Sequence, residues 1–520
     1  MQTAVLLVAL LVIVAALVTV SRKIRVPYPV LLLLGGLVVG LVPVIPRFEL
    51  DPEIVFLVVL PPLLYVSAFL TPIRDFKTNL KNIASLAVGL VAASAGVVAA
   101  VAMVLVPGMT WPLAVALGAI VSPPDAVAAT AIAQRLAVPR RIISILEGES
   151  LLNDGTALTI YRAAVGAAAA AAAVSVLGSL ASFVFVALGG IVIGLVVGWI
   201  TVWVRTRIDD TPVEVTISLL TPYAAYLPAE ALGVSGVLAA VITGLFIGRR
   251  SSQIMGSEAR LAGRATWESL VFLLNGIVFL SIGFQIASIS REMDRTTLVQ
   301  LAAVGILVSI ALIAVRALWV IGMSVRELLS DDQRRTRLRE SVVLSWAGMR
   351  GVVSLAAALA LPASLPGSTL PARDAIIVIT FTVILVTLVG QGLTLPLVIR
   401  ALGLGSDDDE GHEESHARQE LIDQALRRIN ELEKKWPTHK PLIDQLRASY
   451  QHRAEHEEQL HEAPGNEAEQ ELVEHRQIRS DVIDAQRDAL REMRDRGAID
   501  DDVLRSIERE LDLEEIRMEA

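Results

Sequence analysis

Thirteen apolar stretches divide most of this chain: residues 3–20, 28–45, 52–70, 82–106, 112–134, 140–164, 177–204, 213–228, 235–248, 267–287, 297–325, 339–361 and 374–400. A bilayer core about 30 Å thick takes roughly 20 apolar residues of helix to cross. In lipid each backbone polar group must be satisfied within the chain, so stretches of this kind are predicted to be transmembrane helices. With 54% of its 520 residues hydrophobic, the chain is too apolar for a pair of soluble domains. The run 5–20 reads as a first span and not as a signal peptide, since no basic segment precedes it and no small-residue cleavage site follows.

Charge in the loops gives an independent check, because Lys and Arg gather on the cytoplasmic side of a membrane. The loops after spans one, three, five, seven, nine and eleven hold 20 Lys and Arg, among them Arg22, Lys23 and Arg25, Arg135, Arg140 and Arg141, and Arg334 to Arg339. The opposite loops hold four, Arg47, Arg291, Arg295 and Arg373, with Arg162 at a span edge. Thirteen spans then place the N-terminus outside and the C-terminal tail in the cytoplasm.

The tail is a different kind of chain. From Ala401 onward there are 33 Asp and Glu against 17 Lys and Arg, a net of −16, while the first 400 residues carry +7. The overall acidity therefore belongs to the tail and implies no nucleic-acid partner. The predicted organisation is a membrane domain at 1–403, an acidic linker at 404–416 and a soluble helical domain at 417–520. Leu421, Ala425, Ile429 and Leu432 fall on one helix face, and Val482, Ile483, Ala489 and Leu490 suggest a second amphipathic run. Pro437, Pro441 and Pro464-Gly465 divide the tail into about four helices.

Several chemistries are excluded. There is no cysteine, hence no disulfide, thiolate metal site or thiol nucleophile. All seven histidines (His412, His416, His439, His452, His456, His461 and His475) lie in the tail. A proton handled within the membrane must therefore be handled by carboxylates, since Lys and Arg hold theirs too tightly near neutrality.

Ionisable groups inside spans are costly and mark functional pathways. The fifth span reads AIVSPPDAVAATAI, with Ser122-Pro123-Pro124-Asp125 near its middle. Two successive prolines remove two backbone donors and clash with the preceding turn, which predicts a broken helix whose freed carbonyls and half-helix ends can meet an ion. A plain proline kink is the simpler reading, but it leaves Asp125 without a purpose. The sixth span, LEGESLLNDGTAL, holds Glu147, Glu149, Ser150, Asn153 and Asp154. Ser150 and Asp154 share a helix face at i and i+4, whereas Glu149 points elsewhere. Carboxylate, hydroxyl and carbonyl oxygens suit a hard alkali cation, and a carboxylic acid out of water holds its proton more tightly, so proton and cation compete for it. In the twelfth span, SWAGMRGVVSLAAALALP, Arg350 sits between Gly348 and Gly351 and needs a carboxylate or carbonyl partner. Glu149 is the expected one, as a structural ion pair, and Arg316 is a rival for it. Asp154 is then the free acid. Glu214, Glu230 and Glu268, near span ends, are expected at the interface. With spans one to six and eight to thirteen as two inverted six-helix repeats, the broken fifth and twelfth spans correspond, which points to a midplane site.

SPPDAVAA, EGESLLNDGTAL and SWAGMRGVVSLAAALALP, in that order and on those spans, together with LPPLLYVSAF at 60–69, resemble the bacterial branch of the monovalent cation:proton antiporter-1 family, over nearly all of residues 1–400. The tail segment AQRDALREMRDRGAIDDDVLRSIERELDLEE is similar to bacterial members as well. The resemblance implies an all-α polytopic membrane protein of the bacterial plasma membrane, with inverted repeats and broken crossing helices, a homodimer, and alternating access. It implies sodium (or lithium) exchange for protons in the service of pH homeostasis, with no cofactor and no enzymatic step. It makes Asp154 the acid that binds cation and proton in turn. Asn153 beside it, where electrogenic relatives carry an acid, implies electroneutral exchange. Ser122 and Asp125 would belong to the crossing and Glu149 with Arg350 to a stabilising pair, and Na+ would sit on Asp154, Ser150 and Asp125. Two departures stand out: Val66 occupies the third-span position where some relatives have an acid, and Ser-Pro-Pro-Asp replaces the commoner Thr-Asp-Pro.

Potassium/proton exchange by the same fold is the nearest alternative. An intramembrane aspartyl protease built on Asp125 and Asp154 is remote, because the Tyr-Asp and Gly-x-Gly-Asp motifs of such enzymes are missing from these spans. No pore loop of a channel is visible. The tail reads as an assembly or stability module, or, through its histidines, as a sensor of cytoplasmic pH.

Overall fold

A computed structural model of the chain describes residues 2–24, 26–42, 52–170, 176–328, 334–362, 372–404, 409–462 and 466–519. Helices account for the regular structure of the described residues, which contain no strand. The chain forms two compact units, Met1–Ser406 and Asp407–Ala520.

The first unit contains α1 (Gln2–Ile24), α2 (Tyr28–Gly40), α3 (52–70), α4 (Leu80–Leu105), α5 (Trp111–Val121), α6 (Ala126–Arg135), α7 (Arg140–Ala170), α8 (Val176–Arg205), α9 (Thr211–Ala231), α10 (Gly236–Gly248), α11 (Ser257–Glu292), α12 (Arg295–Leu328), α13 (Arg334–Trp346), α14 (Val352–Leu359) and α15 (372–402). Helix lies on each stretch that hydropathy marks, and the fifth and twelfth stretches are each split in two. Six stretches among the described residues are long and apolar enough to cross a membrane, and shorter apolar helices lie within α1, α2, α3 and α10. Several present apolar side chains outward, such as Phe185 on α8 and Leu318 on α12, at 68% and 72% exposure. That is the reverse of a soluble helix and suits a hydrocarbon surround.

Small residues bring backbones together where no side chain fits between them. A Cβ on Gly36 of α2 would run into the Leu280 carbonyl of α11, and one on Gly283 into Leu33, so these two helices touch backbone to backbone. Gly244 and Gly248 seat α10 against the Tyr65 and Phe69 carbonyls of α3 in the same way. Among the described residues three helices contain a π turn, at Val55–Val59 in α3, Ser85–Leu90 in α4 and Val386–Gln391 in α15. Each leaves the regular i→i−4 pattern locally.

The second unit contains α16 (Asp409–Lys435), α17 (Lys440–Glu462), α18 (Asn466–Asp495) and α19 (Asp501–Glu519). Helix α16 begins inside the stretch expected to be a linker, whose glutamates favour helix; residues 405–408 lie outside the described ones. Pro441 does not separate helices, because it sits in the first turn of α17, where its missing N–H costs nothing. The buried seam also differs from the predicted faces: Leu421 and Val482 are exposed at 69% and 55%, while Ile422 and Ile429, Ile483 and Leu490, and Leu504 and Leu511 are buried. Each pair is seven residues apart, the spacing of a narrow coiled-coil-like seam, which selects one apolar residue per two turns and leaves its neighbour in water. Arg447 bonds Glu433 at 2.5 Å between α17 and α16, and Arg487 bonds Asp512 and Glu515, both at 2.6 Å, between α18 and α19. His416, His439 and His452 are exposed; the side chains of His412, His456, His461 and His475 lie outside the described residues, as do Arg25 and Arg47.

Candidate ion-exchange site

The two broken helices meet back to back. Helix α5 stops at Val121 and α6 starts at Ala126, because Pro123 and Pro124 cannot donate to the turn before them. Helix α13 stops at Trp346 and α14 starts at Val352, across a stretch carrying Gly348 and Gly351. The breaks are joined by a backbone hydrogen bond: the Asp125 N–H donates to the Met349 carbonyl at 2.7 Å.

Each break exposes one helix end rich in N–H groups and one rich in carbonyls, and two charged side chains answer them. Asp125 is the N-cap of α6, where its carboxylate accepts the Val127 N–H at 2.9 Å. The Val352 N–H at the start of α14 faces the same carboxylate, which occupies the space that a Cβ on Gly351 would need. Arg350 serves the opposite ends. Its Nε donates to the Val121 carbonyl at 3.0 Å and a terminal nitrogen reaches Ser122 O at 3.5 Å, both at the end of α5. Its other terminal nitrogen donates to Gly348 O just past α13. An anion thus sits at two helix N-termini and a cation at two C-termini, which is the favourable sense for both dipoles.

Helix α7 packs against the first break and carries the rest of the predicted site. Asn153, fully buried, donates from Nδ2 to Pro124 O at 2.8 Å, while its Oδ1 has no partner among the described residues. Ser150 Oγ accepts the Ala126 N–H at 3.5 Å, and Ser122 Oγ donates to Gly118 O at 2.5 Å. Asp154 is 7% exposed and lies within electrostatic range of Asp125. Its carboxylate has no hydrogen bond or ion pair with any described residue.

The expected Glu149–Arg350 pair is not formed. Glu149 pairs with Arg316 of α12, whose two terminal nitrogens donate to the two carboxylate oxygens at 2.6 and 2.7 Å, while its Nε donates to Leu344 O at 2.9 Å. Arg350 is committed to the carbonyls of the breaks, so the rival arginine takes the acid. Glu214, in the first turn of α9, is buried against Arg205 at 3.5 Å. Glu230 bonds Arg162 at 2.7 Å and Glu268 bonds Arg264 at 2.8 Å, both partly exposed.

Three polar groups near the crossing escape the reading of the sequence. Thr387 on α15 accepts the Arg350 N–H at 3.2 Å. Gln391, one turn on, and Asn275 of α11 are each 2% exposed; both amide atoms of Gln391 and the Oδ1 of Asn275 have no hydrogen-bond partner among the described residues. Their signal was an amide inside an apolar run, in LVGQGL and FLLNGIVFL.

The sodium/hydrogen exchanger transmembrane model matches residues 7–401. The chain belongs to the sodium/hydrogen exchanger family. An uncharacterized Na(+)/H(+) exchanger of Mycobacterium tuberculosis is 36% identical to it, across 98% of this chain and 96% of the relative. The Na(+)/H(+) antiporter ApNhaP of Aphanothece halophytica is 35% identical, across 80% of this chain and 78% of the relative. In fold the exchanger is similar to the solved sodium proton antiporter MjNhaP1 of Methanocaldococcus jannaschii, with a TM-score of 0.63 at 22% identity, across 78% of this chain and 99% of that one. The exchanger is thus an integral membrane cation/proton antiporter, and the crossing lies within the matched residues.

Proposed function

We propose that the exchanger moves Na+ (or Li+) against H+, one for one, with Asp154 as the group that both ions use in turn. The observation that carries this reading is the isolation of Asp154. A buried carboxylate with no partner is expensive when ionised, so it is stable only when it carries a proton or faces a cation, and the two occupants exclude each other. Ser150 and the unpartnered Asn153 Oδ1 lie on the same helix and supply further oxygens of the kind a hard cation takes. Asn153 is neutral and Asp125 is engaged as a helix cap, which leaves one acid to cycle and favours electroneutral exchange. The same engagement removes Asp125 as the second acid of a protease dyad.

Thirteen crossings in two inverted six-helix halves belong to this proposal, supported by the paired breaks and by the loop charges. So do a homodimer in the bacterial plasma membrane, an external N-terminus, a cytoplasmic tail at 417–520 and a role in pH homeostasis. The test is cation-driven proton movement in everted vesicles with Na+, Li+ and K+ in separate runs. Asp154→Asn is expected to abolish it for every cation, and Na+-driven movement persisting in that variant would sink the proposal. A response to K+ equal to that for Na+ would favour the potassium alternative.

A further inference from the structure

The π turn Val386–Gln391 places a buried amide against the second break and gives it nothing to bond. Gln391 is 2% exposed, and neither Oε1 nor Nε2 has a hydrogen-bond partner among the described residues. Its position follows from its neighbours on the helix. Thr387 accepts the backbone N–H of Arg350 at 3.2 Å, and Thr394 accepts the indole N–H of Trp346 at 2.9 Å. Residues 387, 391 and 394 stand at i, i+4 and i+7 and share one side of α15. Gln391 therefore lies between two contacts that fasten this helix to Trp346 and Arg350, either side of the middle of the unwound stretch 347–351. The next residue confirms the closeness: a Cβ on Gly392 would sit 3.7 Å from Met349 Sδ, and the Met349 carbonyl is the one that joins the two breaks.

A buried amide with both atoms idle is worse for stability than an apolar side chain of its size. Nearby lies the unwound stretch, whose peptide groups beyond the Ala347 N–H fall outside the helix pattern and whose Gly348 and Met349 carbonyls and Arg350 N–H bond side chains or the other break in this state. π turns inside α-helices also recur at functional sites. We propose that Gln391 is a positioning residue of the exchange cycle: its amide hydrogen-bonds the peptide groups of 347–351 in the state open to the opposite side of the membrane, and so sets how readily the crossing reaches that state. This rests on the antiport reading above. It assigns Gln391 to the movement of the site and not to cation binding at Asp154.

The experiment is exchange by the full chain in proteoliposomes, with Gln391→Leu and Gln391→Met, measuring the rate at saturating Na+, the half-saturating Na+ concentration and the thermal unfolding midpoint. Two neutral hydrogen bonds made in one state only predict a rate lower by about tenfold. The half-saturating concentration should stay within about twofold, the midpoint should be unchanged or higher, and Gln391→Asn should recover part of the rate. A wild-type rate in Gln391→Leu overturns the proposal, as does a rate loss that follows a lowered midpoint in both variants. Where Gln391→Leu prevents folding, Gln391→Met decides by the same criteria. A wild-type protein that exchanges no cation overturns the antiport reading itself, and this proposal falls with it.

Discussion

Replacing Arg316 with Leu removes one half of an ion pair whose two side chains are each only 1% exposed. Three hydrogen bonds disappear, at 2.6, 2.7 and 2.9 Å, two of them between full charges. What remains is the Glu149 carboxylate with no partner in a region of low dielectric, and breaking a buried pair this way costs about 3–5 kcal/mol. Glu149→Leu strands the guanidinium and costs a similar amount. The double variant leaves no stranded charge. It loses the bond to the Leu344 carbonyl, worth about 1–2 kcal/mol, and gains two apolar side chains in an apolar setting. The double variant is therefore expected to be more stable than either single one. Thermal unfolding in detergent, followed through the seven tryptophans, gives the order of the midpoints. Exchange in the double variant should persist, since the pair does not touch Asp154. A double variant destabilised by the sum of the single losses would refute the reasoning, because it would mean that the two charges contribute independently.

The N-cap at Asp125 is expected to tolerate Asn better than Ala: Asp125→Ala should destabilise by about 1–2 kcal/mol and Asp125→Asn by much less, in the same unfolding assay. Gly351→Ala puts a methyl group where the Asp125 carboxylate lies, so it should impair exchange more than Gly390→Ala, where a Cβ meets open space; equal rates would contradict the geometry. Asn153→Asp adds a second acid beside Asp154, and exchange in proteoliposomes should then respond to an imposed voltage. For the wild type, protons displace the cation as pH falls, so below the pKa of the site the half-saturating Na+ concentration should rise about tenfold per pH unit; a concentration independent of pH would argue against a shared site.

What the sequence made legible follows from how local each signal is. Helix positions came from hydropathy, and both breaks came from Pro123-Pro124 and from the glycines around Arg350, because backbone chemistry acts within a turn or two. Asp154 stood out through the acids and amides gathered on one span. The partner of Glu149 was not legible. Arg316 and Arg350 both lie inside apolar stretches, and which one reaches the acid depends on a crossing between segments more than 200 residues apart. The same crossing turns Arg350 toward carbonyls, which no periodicity can announce. In the tail, the seam kept Ile429, Ile483 and Leu490 but took Ile422 in place of Leu421 and left Val482 exposed, since adjacent apolar pairs such as Leu421-Ile422 leave the choice to the partner helix.

The neutralised crossing has a consequence for leakage. Asp125 and Arg350 balance one another, as do Glu149 and Arg316, so Asp154 alone decides the net charge of these five groups. If Asp154 takes a proton or a monovalent cation, as proposed above, the loaded groups sum to zero and the membrane potential does no work on them as they move. Empty, they carry one negative charge, and dragging that charge against a potential costs about 2.3 kcal/mol per 100 mV beyond its desolvation. On the proposed cycle, desolvation opposes return of the unloaded carrier in both directions and the potential adds to it in one, so each inward step would stay tied to an outward one.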